Sequence, residues 1–286
     1  MLTRRALICI FGYTFLMMIQ NKPSPAAITS LLVALAALGV AAQETNSIPP
    51  DTGGCNLFNP VPENLMRELN SDRPDKTESP FTVDAGHYQL EMDFANYADN
   101  RSGDSTTKAW NVAPFNLRIG LLNQVEANLI FDSYLQVRTD DHVARTSTTQ
   151  SGVGDFTTRL KINLWGDDGG QTAFALLPFV KFPTSTDNLG NNAVEGGIVF
   201  PLAVKLPHDF DLGLETAFGC LRDANDNNCH ADFINSITLD HAIIGKLSGY
   251  LEFFVTENIQ LDCGCNFGVT RAADNFNPFA GITVRF

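Results

Sequence analysis

Residues 275–286 alternate strictly between two chemistries. Phe276, Pro278, Ala280, Ile282, Val284 and Phe286 fall on one face; Asn275, Asn277, Gly281, Thr283 and Arg285 fall on the other, with Phe279 as the intruder. A period of two is a strand, and an apolar face that runs to a final aromatic is how outer-membrane β-barrels end. The question that follows is which membrane the chain crosses rather than which reaction it catalyses.

From Gly86 onward the chain continues in alternating runs of a length suited to tilted bilayer spans. In one of them Phe156, Thr158, Leu160, Ile162 and Leu164 share a face, with Asp155, Thr157, Arg159, Lys161 and Asn163 on the other. A soluble β-sandwich would alternate in the same way, so alternation alone does not separate the two architectures. Turn lengths do. Long connections at residues 98–106, 138–151, 184–192 and 220–229 interleave with short ones at 122–124, 166–169, 207–209 and 244–246. Short turns on one side of a membrane and long loops on the other produce that rhythm, and a Greek-key sandwich has no reason to.

The rhythm breaks after residues 246–254, where a long connection is due and the short Val255-Thr256-Glu257-Asn258 stands instead. Eleven strands are recognisable, whereas bacterial barrels carry an even number. One strand and its loop are therefore expected to be missing between about Glu252 and Val255, within a twelve-strand plan.

Residues 28–42 read as the apolar core and small-residue cleavage site of an export signal, with Lys22 before them. An earlier apolar stretch at 6–19 leaves open a helical hairpin, but each stretch is short for a spanning helix and two prolines lie between them, so the expected translation start is Met17 or Met18. Loss of residues 1–42 takes the formal charge from -13 to -16, because Arg4, Arg5 and Lys22 go with them. That acidity argues against nucleic acid as a partner. Of six cysteines, Cys220 and Cys229 bracket a polar octapeptide and read as a disulfide at the base of an exposed hairpin; a metal site with His230 is the other reading. Cys263 and Cys265 read as small outward residues, and Cys55 has no assignment.

Alternation gives the inward set: Gln89, Glu91 and Asp93; Arg118; Glu126, Asn128 and Asp132; Asp155, Arg159 and Lys161; Lys181; Glu195 and Lys205; Asp211 and Glu215; Asp232 and Asp240; Glu252; Asp262; and Arg285. These either line a watery passage that favours cations or neutral solutes, or pair across a narrow interior and hold it together. Ala175, Leu177, Phe179, Val199, Pro201 and Ala203 share that face and form either an apolar solute patch or a seat for the segment that precedes the strands. That segment is rich in Pro, Asn and acids, and carries Asp72, Arg73, Asp75 and Glu78; it reads as a plug or as a plain linker. No serine stands at a spacing that fixes a triad with His142, His208, His230 or His241, and no metal cluster, phosphate loop or cofactor motif is present.

Asp72-Arg73-Pro74-Asp75, Thr77-Glu78-Ser79-Pro80 and Gly86-His87-Tyr88-Gln89-Leu90-Glu91, with Gly152-Val153-Gly154-Asp155, Arg159-Leu160-Lys161 and residues 177–184, resemble the outer-membrane family described as "putative MetA-pathway of phenol degradation". The resemblance covers residues 72–286 and implies passage of small, often aromatic, compounds, an ordered arm and no catalytic motif; the short connection at 255–258 and the cysteines depart from it.

The expected protein is thus all-β: an antiparallel up-and-down transmembrane β-barrel at 86–286, an irregular periplasmic arm or plug at 43–85 and a signal peptide at 1–42, in the bacterial outer membrane. Its expected partners are outer-membrane lipid and a small hydrophobic or aromatic solute, with no cofactor and no chemistry. A non-conducting structural or surface-interaction barrel is the alternative, and a secreted β-sandwich binding module the third reading.

Overall fold

Alternation in the sequence becomes one antiparallel sheet. The computed structural model describes residues 52–73, 77–208, 210–222, 229–241, 251–266 and 275–286, so the expected leader and Asp75 lie outside the described residues. The strands are β1 (Tyr88–Ser102), β2 (Ser105–Val112), β3 (Phe115–Leu122), β4 (Val125–Phe131), β5 (Tyr134–Asp141), β6 (Thr146–Gly152), β7 (Phe156–Trp165), β8 (Thr172–Phe182), β9 (Glu195–Leu206), β10 (Phe210–Arg222), β11 (Cys229–His241), β12 (Leu251–Thr256), β13 (Ile259–Asn266) and β14 (Asn277–Arg285). Their order across the sheet is β11-β10-β9-β8-β7-β4-β3-β1-β14-β13-β12, with β2 on β1 and β5, and β6 on β5.

The first strand pairs with the last. Gln89 faces Arg285, and Tyr88 and Phe286 exchange backbone N–H to O bonds of 2.8 Å. This end, where both termini of the sheet lie, is called the terminal end below, and the opposite one the far end. Three interruptions split longer spans: Ala113-Pro114 between β2 and β3, residues 132–133 between β4 and β5, and 153–155 between β6 and β7. At the first, Ala113 adopts a left-handed φ of 51° and Pro114 has no N–H to offer a ladder. Among the described residues fourteen strands therefore make eleven spans, the number recognisable from the alternation.

Two details differ from expectation. The long connections at 98–106 and 138–151 are strands instead: β1 and β2 meet at Gly103-Asp104, and β5 and β6 at residues 142–145. Each is a polar, Thr-rich ladder whose backbone pairs without an apolar face to mark it. The direction of β12 is the other. Ile259 faces Val284 and Phe210 faces His241, which puts the C-terminal ends of β11 and β12 both at the terminal end. The two strands run the same way, so β12 descends where an ascending strand was expected. β11 and β12 are the two ends of the strand order, and the sheet is not closed between them among the described residues.

Burial is inverted relative to a water-soluble protein. Arg118, Lys161, Glu91 and Glu126 are 0% exposed, while Leu164 is 48% and Ile237 71% exposed. Water would have the opposite distribution; hydrocarbon outside and ion pairs inside give this one. Aromatic pairs mark the limits of the apolar band. Tyr88 stacks on Phe286 and Trp165 tilts on Phe174 at the terminal end; Tyr97 meets Trp110 at 4.8 Å and Phe156 stacks on Phe182 toward the far end. Tyr88 to Tyr97 on β1 and Phe156 to Trp165 on β7 are the same number of residues apart. At about 3.3 Å per residue and a tilt of about 40° that is roughly 23 Å of height, the thickness of an outer-membrane apolar band. The helical content described is one 3-10 turn, Glu63–Leu65, and no described helix is long and apolar enough to cross a membrane, which says nothing of crossing by strands.

Candidate functional site: the occupied interior

The segment before β1 lies on the inner face of the sheet. It touches strands from nearly the whole strand order: Arg73 reaches Asp262 on β13, and Thr77 reaches Ser236 and Thr238 on β11 at 2.9 and 2.7 Å. A flat sheet could not offer both, so the sheet curls round this arm.

The contacts are largely ionic. Arg118 on β3 binds Glu91 and Glu126 at 2.9 Å each and Asp72 of the arm at 3.3 Å. Lys161 on β7 meets the same Asp72 at 2.9 Å and Glu126 at 3.5 Å. Burial on its own would raise the Asp72 carboxyl, but Arg118 and Lys161 outweigh it and hold the group well below the usual carboxylate range. Ser79 adds a 2.6 Å hydroxyl bond to Asp72. Arg118 further donates to the Asn70 and Phe81 carbonyls, and Asn163 donates to the Pro80 carbonyl at 2.9 Å. Backbone polar groups that an irregular buried segment leaves unpaired are thus met by strand side chains.

Arg73 occupies a rung built for it. Asp93, Gly281 and Asp262 stand side by side on β1, β14 and β13. The guanidinium lies over Gly281 and binds both acids, Asp93 through Nη1 and Asp262 through Nη2 and Nε at 2.5 and 3.0 Å. A Cβ at Gly281 would collide with that guanidinium, and one at Gly120 would collide with the Asp84 carbonyl, so two strand glycines make room for the arm. Deeper along the interior, Glu78 pairs with Arg159 and donates its backbone N–H to Glu215 at 2.6 Å.

Other contacts had no signal in the sequence. Arg67 of the arm binds Asp84 at 2.8 Å and Asp167, in the turn between β7 and β8, at 2.5 Å. Burial acts to lower the Arg67 pKa, but Asp167 and Asp84 raise it above its ordinary value. Burial also pushes the Asp167 carboxyl up, against the pull of Arg67 and Thr82. Asp167 reads in the sequence as an ordinary turn residue, and nothing local ties it to an arginine so far upstream.

Toward the far end the inner face carries Asp132, hydrogen-bonded by Asn111 at 2.6 Å, and Lys181 between Glu195 and Asp155, the latter at 3.7 Å. Lys205 and Asp211, opposite each other near the terminal end, are exposed. Asp232 is half-buried; Asp240 and Glu252 are placed in β11 and β12 by backbone alone. On β8 to β11 the inner face turns apolar: Ala175, Leu177, Phe179, Val199, Ala217 and Ile234 form one buried cluster. The Cys220 and Cys229 sulfurs are bonded, with Cα atoms 5.7 Å apart, at the far end. Among the described residues no group of His, Cys, Asp and Glu is arranged to hold a metal ion.

An inside-out antiparallel sheet, joined first strand to last and wrapped on a polar arm, defines an outer-membrane β-barrel. The chain belongs to the family described as "Putative MetA-pathway of phenol degradation", whose profile matches residues 71–253. In fold it is similar to the COG4313 outer membrane channel from Pseudomonas putida F1, with a TM-score of 0.53 and 14% identity over 76% of this chain and 100% of that one. The outer membrane protease OmpT from Escherichia coli aligns over 70% of this chain and 96% of that one at 9% identity, with a TM-score of 0.24 that is too low to carry an argument. No curated protein matches in sequence.

Proposed function

We propose that the protein is a passive outer-membrane channel for small hydrophobic or aromatic molecules, closed in the state described by its own arm, with the terminal end facing the periplasm. The observation that carries this reading is how the arm is held. Residues 70–73 and 77–84 sit inside the sheet through ion pairs and hydrogen bonds to at least seven strands. Water can replace such contacts group by group, so the arm can leave without tearing an apolar core. The buried apolar cluster on β8 to β11 lies on the same inner face and gives a hydrophobic solute a surface to follow. The family's description, which concerns phenol degradation, supports aromatic cargo.

The density of buried ion pairs favours a second reading, a barrel that never conducts and serves as a scaffold. Liposome swelling with neutral, aromatic and ionic solutes separates the two. Deletion of residues 70–80 should raise permeability, most for uncharged aromatic solutes. If neither the whole protein nor the deletion variant passes any solute while both remain folded, the channel reading is wrong.

A further inference from the structure

Apart from Lys205 and Arg222, the described Lys and Arg side chains fall into two groups. Arg67, Arg73, Arg118, Arg159, Lys161, Lys181 and Arg285 are tied up in the interior, whereas Arg101, Lys108, Arg138 and Arg145 all belong to the far-end ladder of β1, β2, β5 and β6. Register fixes which face three of them occupy. Tyr97, Trp110 and Gln136 form one outward row; the next row outward is Asp99, Lys108 and Arg138, and the row beyond it is Arg101, Thr106 and Asp140. The intervening residues Thr107, Ala109, Asn111 and Leu135 are buried, so the alternate set faces out.

Trp110 is 48% exposed and, with Tyr97, marks the edge of the apolar band. Lys108 and Arg138 stand one row above it, about 7 Å further along the strands. That height is where lipid phosphates begin, just outside the hydrocarbon. Lys108 and Arg138 are also directly opposite each other, a like-charge pairing that costs stability unless something anionic answers it. Asp140 answers Arg138 at 3.1 Å and Asp99 answers Arg101 at 3.2 Å, while Lys108 is exposed and held in no ion pair among the described residues. On this outward face Arg101, Lys108 and Arg138 stand against Asp99 and Asp140, which leaves one positive charge, that of Lys108, to meet headgroups.

We propose that this outward face binds the phosphate groups of the phosphorylated glycolipid of the outer leaflet, with Lys108 and Arg138 as the phosphate ligands and the Tyr97 and Trp110 rings against its acyl chains. Flexible basic stems above an aromatic edge suit that partner, because they follow a phosphate while their methylenes stay on apolar surface. The site rests on the proposed orientation, with the terminal end in the periplasm, but lies on the outside of the barrel and does not depend on whether the interior conducts.

The test uses the full protein in detergent and vesicles of phosphatidylcholine with or without lipid A. Wild type should bind the lipid A vesicles more tightly, and K108A/R138A should lose about 30-fold of that affinity, about 5-fold per cation. The charge-conserving K108R/R138K should retain it, and heat-modifiable gel mobility should show all three folded. Equal binding by K108A/R138A, equal binding to dephosphorylated lipid A, or full displacement by millimolar inorganic phosphate, which would make a free anion the ligand, overturns the proposal. Solute permeability read on the same samples should not change, so this failure is distinguishable from failure of the channel reading.

Discussion

Arg73→Ala is the sharpest test of how the arm is held. The side chain is 2% exposed, and its two acceptors, Asp93 and Asp262, are 8% and 0% exposed. Deleting one partner of a buried ion pair costs about 3–5 kcal/mol, because the charge left behind is neither paired nor hydrated. Here two carboxylates are stranded on adjacent strands, and undocking the arm lets water reach both. The cost therefore falls on the docked state and not on the sheet, and the docking equilibrium should shift by roughly two to four decades. Arg73→Lys should be intermediate, since one ammonium does not span both acids as a planar guanidinium does. Hydrogen exchange over residues 68–84, read beside heat-modifiable mobility, is the assay. Loss of protection in the arm with an intact barrel is expected, and solute flux should rise with it. A further arm of the experiment replaces both acids as well: R73M/D93N/D262N should recover much of the protection. If Arg73→Ala leaves the arm as protected as wild type, the ionic latch does not hold it and the argument fails.

Three other outcomes are expected. Leu160→Arg, at an outward position midway along β7 that is 36% exposed, should destabilise the membrane-inserted protein by about 2–4 kcal/mol in urea titration from liposomes, whereas an exposed site on a soluble sandwich would tolerate it within about 0.5 kcal/mol. For Asp72 the folded pKa is depressed, so its contribution is present above the unfolded value near 3.9 and is lost only as pH falls toward the folded one. The loss of arm protection caused by Asp72→Asn should thus stay constant from pH 7 to about pH 5, and a difference that has vanished at pH 5 contradicts the assignment. An impermeant thiol reagent on intact cells should label Cys220 and Cys229 only after reduction; labelling beforehand counts against the bridge.

What the sequence disclosed and what it withheld divide along physical lines. A lipid-facing surface must be apolar at every second residue, so β7 and β14 announce themselves and Arg118, Glu126 and Lys161 fall on one face without any structure. Strand direction is another matter, because alternation reads the same forwards and backwards. The run at 246–254 therefore reads as an ascending strand, and only the register of Leu251–Thr256 with β13, Glu252 opposite Asp262, shows that this part descends. The ladders β2 and β5 project beyond the apolar band, where neither face needs a greasy stripe, and their polar residues read as loops. Within the interior, a face is legible and a partner is not. Arg73 meets Asp262 across 189 residues, and Arg67 meets a turn aspartate, by the curvature of the sheet, which no local spacing encodes.

The contact between Arg73 and Asp262 has a consequence for biogenesis. Arg73 emerges from export ahead of every strand, but its acids stand on β1 and on β13, one of the last strands to arrive. Until β13 is seated, the guanidinium has half its anchorage, so this part of the arm docks fully only once the C-terminal strands are in place.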